Sequence, residues 1–363
     1  MKALTLRSPQ RLELVDAPNP ALEEGMVIVR VHKCGICGSD IRYYYGQNPW
    51  AKQTLGEERP NPPNIILGHE FVGTVVEAAS ERHKLYVGKR VGINTWSACG
   101  RCFYCRNAQE NLCPYTRHLG HGQGWGEREF YPGGMAEYCL AFGDLLCELP
   151  AEVTDDQATF FDPMTAALHA VHVSAPRCLD TVLIQGAGPI GLLIAQMVRL
   201  HGAKTVLITD IAAKNIEVAL QLGVDLALDV RRASPDALRE AVMERTEGRG
   251  VEMSFNTVGS RESIAEALRL TRKGGRVTLL AVKDEALRIS AAEIGGEKAV
   301  MTSANAHFTD FYQAVDMVAS GLVKVDPLIT HRFALRDGIE AFRVACDKEN
   351  TGAIKIVLDC REV

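Results

Sequence analysis

The segment Gly186-Ala187-Gly188-Pro189-Ile190-Gly191 narrows what this chain can fold into more than any other. It follows an apolar run, Thr181–Gln185, that reads as a strand, and it opens residues 189–201, which read as a helix. In a Gly-x-Gly-x-x-Gly turn of this kind the first glycine permits the tight turn. The second lets the backbone approach a pyrophosphate, and the third lets helix and strand pack closely. Free N–H groups at the N-terminus of the helix that Pro189 and Ile190 open then face the phosphates. About twenty residues further on, where the next strand ends, an acidic residue is expected to hold the adenosine ribose. Asp210 stands there, after the strand-like residues 204–209. Its carboxylate accepts ribose hydroxyls and repels a 2′-phosphate, which favours NAD over NADP, although Lys214 lies close by.

The same alternation continues along the chain. A helix over 213–222, a strand over Val251–Asn256, a helix over 263–270 and a strand over 276–281 predict βαβ units and a doubly wound parallel sheet. Before residue 153 the pattern differs. Short apolar runs at 27–31, 71–76 and Arg90–Ile93, punctuated by glycines, predict a β-rich region, and the Pro-rich stretch 47–66 reads as a surface loop. After residue 290 come a predicted helix at 311–320 and a β-like end at 353–359.

Of 11 cysteines, four lie close together as Cys99-x2-Cys102-x2-Cys105-x7-Cys113. That spacing fits a closed tetrathiolate, which suits structural zinc. Cys113-Pro114 also resembles the end of a ferredoxin run, but such a run has three residues, not seven, before its last cysteine. A second set is dispersed: Cys37-Gly38-Ser39-Asp40, Gly68-His69-Glu70 and Asp162-Pro163. A thiolate, an imidazole and carboxylates are the donors of a catalytic zinc with an open position, and Asp40 is placed to fix the His69 tautomer. Spacing alone leaves this set open between a metal site and ordinary packing. Asp162-Pro163, ahead of a predicted helix at 164–171, equally reads as an N-cap with Pro at the first helical position.

With 363 residues, two domains are expected, and 47% hydrophobic against 23% charged residues supports a sizeable core. A net charge of −5 without a basic block argues against nucleic-acid or membrane-surface binding. No signal-peptide pattern opens the chain and no apolar run is long enough to span a bilayer, so a soluble, cytoplasmic protein is expected.

Taken together, Cys34-Gly35-Ile36-Cys37-Gly38-Ser39-Asp40, Gly68-His69-Glu70, the four-cysteine lobe, the glycine turn with Asp210 and the Lys355 end resemble the zinc-dependent medium-chain alcohol dehydrogenases, most closely their sorbitol and threonine dehydrogenase branch. The resemblance implies a GroES-like β-rich catalytic domain (1–152, completed by 291–363) with a Rossmann NAD-binding domain inserted at 153–290. It implies two zinc ions per chain. Cys37, His69, Glu70 and Asp162 match the catalytic site, with Glu70 binding directly or through water, and Asp162 stands where the branch usually has Glu. Cys99, Cys102, Cys105 and Cys113 match the structural site, and Ser39 matches the hydroxyl that passes the substrate proton. Where many members carry His as outer relay, this chain has Arg42, which stays charged and cannot be a base.

The implied reaction is hydride transfer between a secondary alcohol and NAD. The alcohol would be of the sugar, sugar-acid, polyol or cyclitol class, with a cyclic apolar or amino alcohol as the alternative. Tyr43, Tyr44, Tyr45 and Trp50 are candidates for the pocket wall, with His118, His121 and Trp125 as further ones. The resemblance also implies a homo-oligomer, dimer or tetramer. From a different class, a non-catalytic nucleotide-binding redox sensor would fit the Asp162 and Arg42 departures, but not an intact Cys37, Ser39 and His69.

Overall fold

A computed structural model describes the chain except Pro235 and residues 282–285. Two compact units form. One comprises Met1–Pro163 with His307–Val363, the other Met164–Ala306. The first segment therefore runs on beyond residue 152, and the C-terminal segment of that unit begins at 307 rather than 291.

In the first unit the main sheet runs in the order Leu146–Glu148, Arg90–Ile93, Glu70–Ala78, Met26–Gly35, Lys355–Asp359, Ile329–Ala334, and Tyr138–Phe142 also pairs with Met26–Gly35. Along Met26–Gly35, Val27, Val29 and Val31 are buried on one face and Met26, Ile28, His32 and Cys34 on the other, with Arg30 alone exposed, as in a central strand covered on both faces. Those valines pack with Leu4, Val75, Val91, Leu140 and Leu358. Lys355–Asp359 pairs antiparallel with the end of that strand, Val357 opposite Gly35 and Leu358 opposite Cys34. The two ends of the chain thus share one sheet.

This junction contains a buried ion pair. Lys355 Nζ bonds Glu70 Oε2, and their side chains are 2% and 1% exposed. Burial alone would lower the Lys355 pKa, but the Glu70 carboxylate outweighs it and raises it. Gly35 makes the contact possible. A Cβ there would come within 2.4 Å of Glu70 Oε2 and 2.8 Å of Lys355 Cε.

The second unit is a six-stranded, all-parallel sheet in the order Leu226–Asp229, Thr205–Asp210, Thr181–Gln185, Val251–Asn256, Thr271–Leu279, Ala299–Thr302. Leu183, Leu207, Val242, Val251 and Leu270 form part of its core. The expected strands and helices occur, with shifted ends. Ser260 caps Arg261–Leu270 by accepting from Ser263 N at 3.2 Å, so that helix starts ahead of residue 263. In the first unit the expected surface loop at 47–66 contains a π-helical turn, Ala51–Leu55, and ends in a short buried strand, Ile65–Ile66, that pairs antiparallel with Lys2–Ser8. The helix expected from 164 begins earlier, as Phe161–Ser174, which puts Asp162 inside its first turn instead of at its N-cap. A capping box stands upstream on a separate short helix, Asp155–Ala158, where the Thr154 hydroxyl accepts from Gln157 N while Gln157 Oε1 accepts from Thr154 N. Among the described residues no helix is long and apolar enough to cross a membrane.

Removing one member of a buried pair strands the other charge, at a cost of about 3–5 kcal/mol. Lys355→Met is expected to lose stability on that scale in urea unfolding, and Glu70→Gln combined with it should cost less than the two single changes added. A single-variant loss under about 1 kcal/mol, the range of exposed pairs, would show that the pair does not hold the junction.

Candidate metal centres and nucleotide turn

The four lobe cysteines converge. Their sulfurs lie within 4.8 Å of one another, with Cys102 to Cys105 at 3.5 Å, Cys102 to Cys113 at 3.8 Å and Cys99 to Cys105 at 3.9 Å. A tetrahedron built on zinc–sulfur bonds of about 2.3 Å has edges of about 3.8 Å. The set therefore fits one tetrahedral ion. Backbone amides reinforce it, since Cys99 N and Tyr115 N donate to Cys113 Sγ at 3.5 and 3.4 Å. The amides of Arg101 and Cys102 bring the Cys99 thiol down to about 6, while burial pushes Cys113 up to about 12. A cation is what would ionise all four together. Glu110, within the lobe, accepts from Phe308 N at 3.2 Å and so ties the lobe to the helix Phe308–Ala319.

Cys37, His69 and Glu70 form the second group, their ligand atoms also within 4.8 Å of one another. Asp40, fully buried, organises the backbone beneath them. Its Oδ2 accepts from Cys37 N at 2.8 Å and its Oδ1 from Gly68 N at 3.2 Å, so one carboxylate holds both segments that carry the donors. Gly68 sits at φ +94, where a Cβ would strike Cys34 Sγ and Met135 Cγ. His69 Nδ1 is 3.5 Å from Asp40 Oδ1, an ion-pair distance rather than a good hydrogen bond, and His69 Nε2 is 3.2 Å from Ser39 Oγ. Burial alone would lower the His69 pKa, but Asp40 and Cys37 outweigh it and raise it. This concentration of negative charge suits a divalent cation.

Asp162 is not part of that tight group. Its Oδ1 accepts from Thr95 Oγ1 at 3.3 Å, and burial lifts its carboxyl to about 6, with Glu70 adding to the rise. Arg42 donates to Gln47 Oε1 at 3.0 Å.

The four aromatic candidates part company. Gly38–Tyr44 is a helix, and its turn sends successive side chains in different directions. Tyr43 is buried and stacks on His121, with ring centroids 4.7 Å apart. Tyr44 instead packs on Phe342, and Tyr45 is half exposed beside it, so neither joins the ring cluster around His69. His121 meets His69 edge-on at 4.4 Å and stacks with His118 at 5.5 Å. Trp50 lies edge-on to His118 and donates to Thr116 Oγ1 at 2.9 Å. Trp125 stacks on Phe142 and donates to the His118 carbonyl, which makes it a support of the segment. Trp96, stacked on His118 and packed on Phe308, completes the wall, and nothing in its sequence neighbourhood marks it. Lys355, the ion-pair partner of Glu70, is the other functional residue that sequence reasoning did not assign. Its signal was a lone charge inside Ala353-Ile354-Lys355-Ile356-Val357-Leu358.

In the second unit the three glycines have three different reasons. Gly186 adopts φ +96, and a Cβ there would meet Thr257 Oγ1 at 2.2 Å. A Cβ on Gly191 would lie 1.9 Å from Gly186 O, so helix and turn pack only without one. On Gly188 it would meet nothing within 4 Å. The protein itself does not require that glycine, but a closely approaching phosphate group would. Gly188 is the N-cap of Pro189–Leu200 and provides no side-chain cap, which leaves the first amides available to an anion. Asp210 is fixed beside the turn. Its Oδ2 accepts from Ala187 N at 2.6 Å and its Oδ1 from Ile211 N and Ala212 N at 2.8 Å each. Lys214 Nζ bonds Glu217 Oε1 at 2.8 Å.

Comparison with known proteins agrees with this geometry. Residues 23–151 match the alcohol dehydrogenase GroES-like domain and residues 189–320 match the zinc-binding dehydrogenase domain. The chain is 30% identical over 346 residues to L-threonine 3-dehydrogenase of Shewanella baltica (strain OS155 / ATCC BAA-1091), covering 94% of this chain and 95% of that protein. An alcohol dehydrogenase from Escherichia coli CFT073, solved with NADH, is 27% identical with a TM-score of 0.86, covering 99% of both chains. A zinc-binding dehydrogenase from Sinorhizobium meliloti 1021, solved with NADP, is 29% identical with a TM-score of 0.85, covering 99% of this chain and 98% of that one. The chain belongs to the zinc-dependent medium-chain alcohol dehydrogenase family and is an oxidoreductase that works with zinc and a nicotinamide cofactor.

Proposed function

We propose that the protein interconverts a secondary alcohol of the polyol, sugar, sugar-acid or cyclitol class and its ketone, with NAD as the hydride carrier. The observation that carries this reading is the convergence of Cys37, His69 and Glu70 within 4.8 Å, with the Ser39 hydroxyl 3.2 Å from His69 Nε2. Cys37 and His69 hold the catalytic zinc, with a carboxylate from Glu70 or Asp162 as the further donor, and the lobe holds the structural one. Zinc at such a site polarises the alcohol oxygen and makes its proton easier to lose, and the nicotinamide supplies the hydride acceptor.

The chain's own groups do the rest. Ser39 both donates and accepts, so its hydroxyl takes the substrate proton and passes one on. Asp40 keeps Cys37 and His69 in register through their backbones. Lys355 is the buried ion-pair partner of Glu70 and keeps that carboxylate from being left unpaired. Arg42, bonded to Gln47, stays a cation and accepts no proton. The 186–191 turn binds the pyrophosphate through its amides, and Asp210 accepts from the adenosine ribose.

Three outcomes follow. A mild chelator should abolish turnover of the polyol or cyclitol substrate while one zinc per chain stays bound, because the lobe is closed and the other site is open. Iron in place of zinc, or a single metal in fully loaded protein, would contradict the two-site reading. Asp210→Ser should raise KM for NAD and narrow the preference over NADP by removing a hydrogen bond and a repulsion together. Faster turnover of the unaltered enzyme with NADP at equal low concentration would overturn the NAD assignment. Asp162→Asn should stay folded, lose turnover and retain one zinc; full activity with two zinc ions would take Asp162 out of the metal site.

A further inference from the structure

Trp96 and His118, two rings of the wall beside Cys37, His69 and Glu70, stand opposite one another in a ribbon of only two residues a side, Trp96–Ser97 against Arg117–His118. A two-stranded ribbon that short is at best marginally stable in water. Something else has to keep the two rings in place, and two supports are present. One is continuous with the ribbon, because residues 98–116, which join its strands, contain all four lobe cysteines. An ion bound there closes the connection between the strands. The other support is a side chain. Phe308, which opens the helix Phe308–Ala319, packs on Trp96 with ring centroids 4.7 Å apart.

Glu110 joins these two supports. Its backbone leads straight into the lobe, where its carbonyl accepts from Cys113 N at 3.0 Å. Its side chain reaches a residue 198 positions away, Oε1 accepting from Phe308 N at 3.2 Å and lying 3.2 Å from His307 Nδ1. There the chain re-enters the first unit, whose second segment begins at His307. Burial alone would raise the Glu110 carboxyl, but its own amide, the Phe308 amide and His307 outweigh it and lower it. A carboxylate acceptor makes the stronger kind of hydrogen bond. From Phe308 the contacts run on without a gap. Trp96 stacks on His118 at 6.0 Å, His118 stacks on His121 at 5.5 Å, and His121 meets His69 at 4.4 Å. Thr95, next to Trp96, donates to Asp162 Oδ1 at 3.3 Å, so the same strand end also touches the buried carboxyl.

We infer that Glu110 is a positioning residue for the catalytic centre. By holding Phe308 on Trp96 it ties the lobe to the Trp96–His118 ribbon beside His69, so that the lobe, besides holding its own ion, slows the loss of the ion at Cys37 and His69. This rests on the proposed metal reading of Cys37 and His69.

The test uses the zinc-loaded protein. Glu110→Ala removes the acceptor, whereas Glu110→Gln retains a neutral one. In Glu110→Ala, backbone hydrogen exchange read by mass spectrometry should quicken about fivefold over residues 95–97 and 117–119, the low end of typical coupling between sites. Release of the labile zinc to a chelator should quicken by a similar factor, while the lobe zinc and the urea midpoint stay as they were. Glu110→Gln should recover part of both changes. Phe308→Leu keeps the amide and takes the ring off Trp96, so in that background Glu110→Ala should add little to either rate. Full additivity of the two changes would overturn the inference. So would unmoved exchange at the ribbon, a quickening spread evenly over the first unit, or unchanged zinc release from a loosened ribbon. If the unaltered protein holds only the lobe zinc, the metal reading of Cys37 and His69 has failed. The exchange rates then decide the Glu110 tie by themselves, faster at the ribbon for it and unchanged against it.

Discussion

Charge buried without water has to be answered by an opposite charge or by hydrogen-bond donors, and the first unit is arranged around that requirement. Asp40 and Glu70 are both buried, and the Cys37 and His69 donor atoms lie among them. Asp40 is answered by two backbone amides and Glu70 by Lys355. These partners also fix geometry. The Asp40 bonds position the Cys37 and Gly68 backbones, and the Lys355 bond draws the C-terminal strand against the strand that ends in Gly35. Removing a buried charge from this arrangement therefore changes the fold and the site together. The Cys37 sulfur and the His69 ring, beside Glu70, are the donors a divalent cation would take up.

The nucleotide turn solves a different problem with no buried cation. Gly186 and Gly191 are demanded by the protein's own packing, whereas a Cβ on Gly188 would meet nothing within 4 Å, which leaves that position open to a ligand. That contrast separates a turn shaped for folding from one shaped for binding. Asp210 links the two roles, because the carboxylate placed for a ribose also accepts from Ala187 N and pins the turn.

How much of this was legible in the sequence depended on how local each signal was. The lobe and the glycine turn are each contained in one short stretch, where spacing fixes geometry, and both formed as their spacing required. Cys37, His69 and Asp162 are far apart in the chain, and only the resemblance assembled them; spacing had no way to weigh Glu70 against Asp162. The Asp162-Pro163 pair looked like a cap, yet the helix begins at Phe161, so Asp162 lies within its first turn. Three consecutive tyrosines were indistinguishable as letters, and helical rotation turned only Tyr43 toward the histidines. His118 and His121 stood only as further pocket candidates, because their ring partners, His69, Tyr43 and Trp96, come from three other segments. Lys355 was visible as an oddity in an apolar strand, but its partner lies 285 residues away.

The central claim is that two chemically different zinc sites coexist in one chain, one of four thiolates and one of mixed donors. Zinc K-edge absorption spectroscopy of the fully loaded protein tests it most directly, because it reads donor identity averaged over both ions. The account predicts between two and three sulfurs per zinc at about 2.3 Å, together with a nitrogen or oxygen shell at about 2.0–2.2 Å. A pure four-sulfur shell at full metal loading would contradict it, since no zinc would then lie at Cys37 and His69.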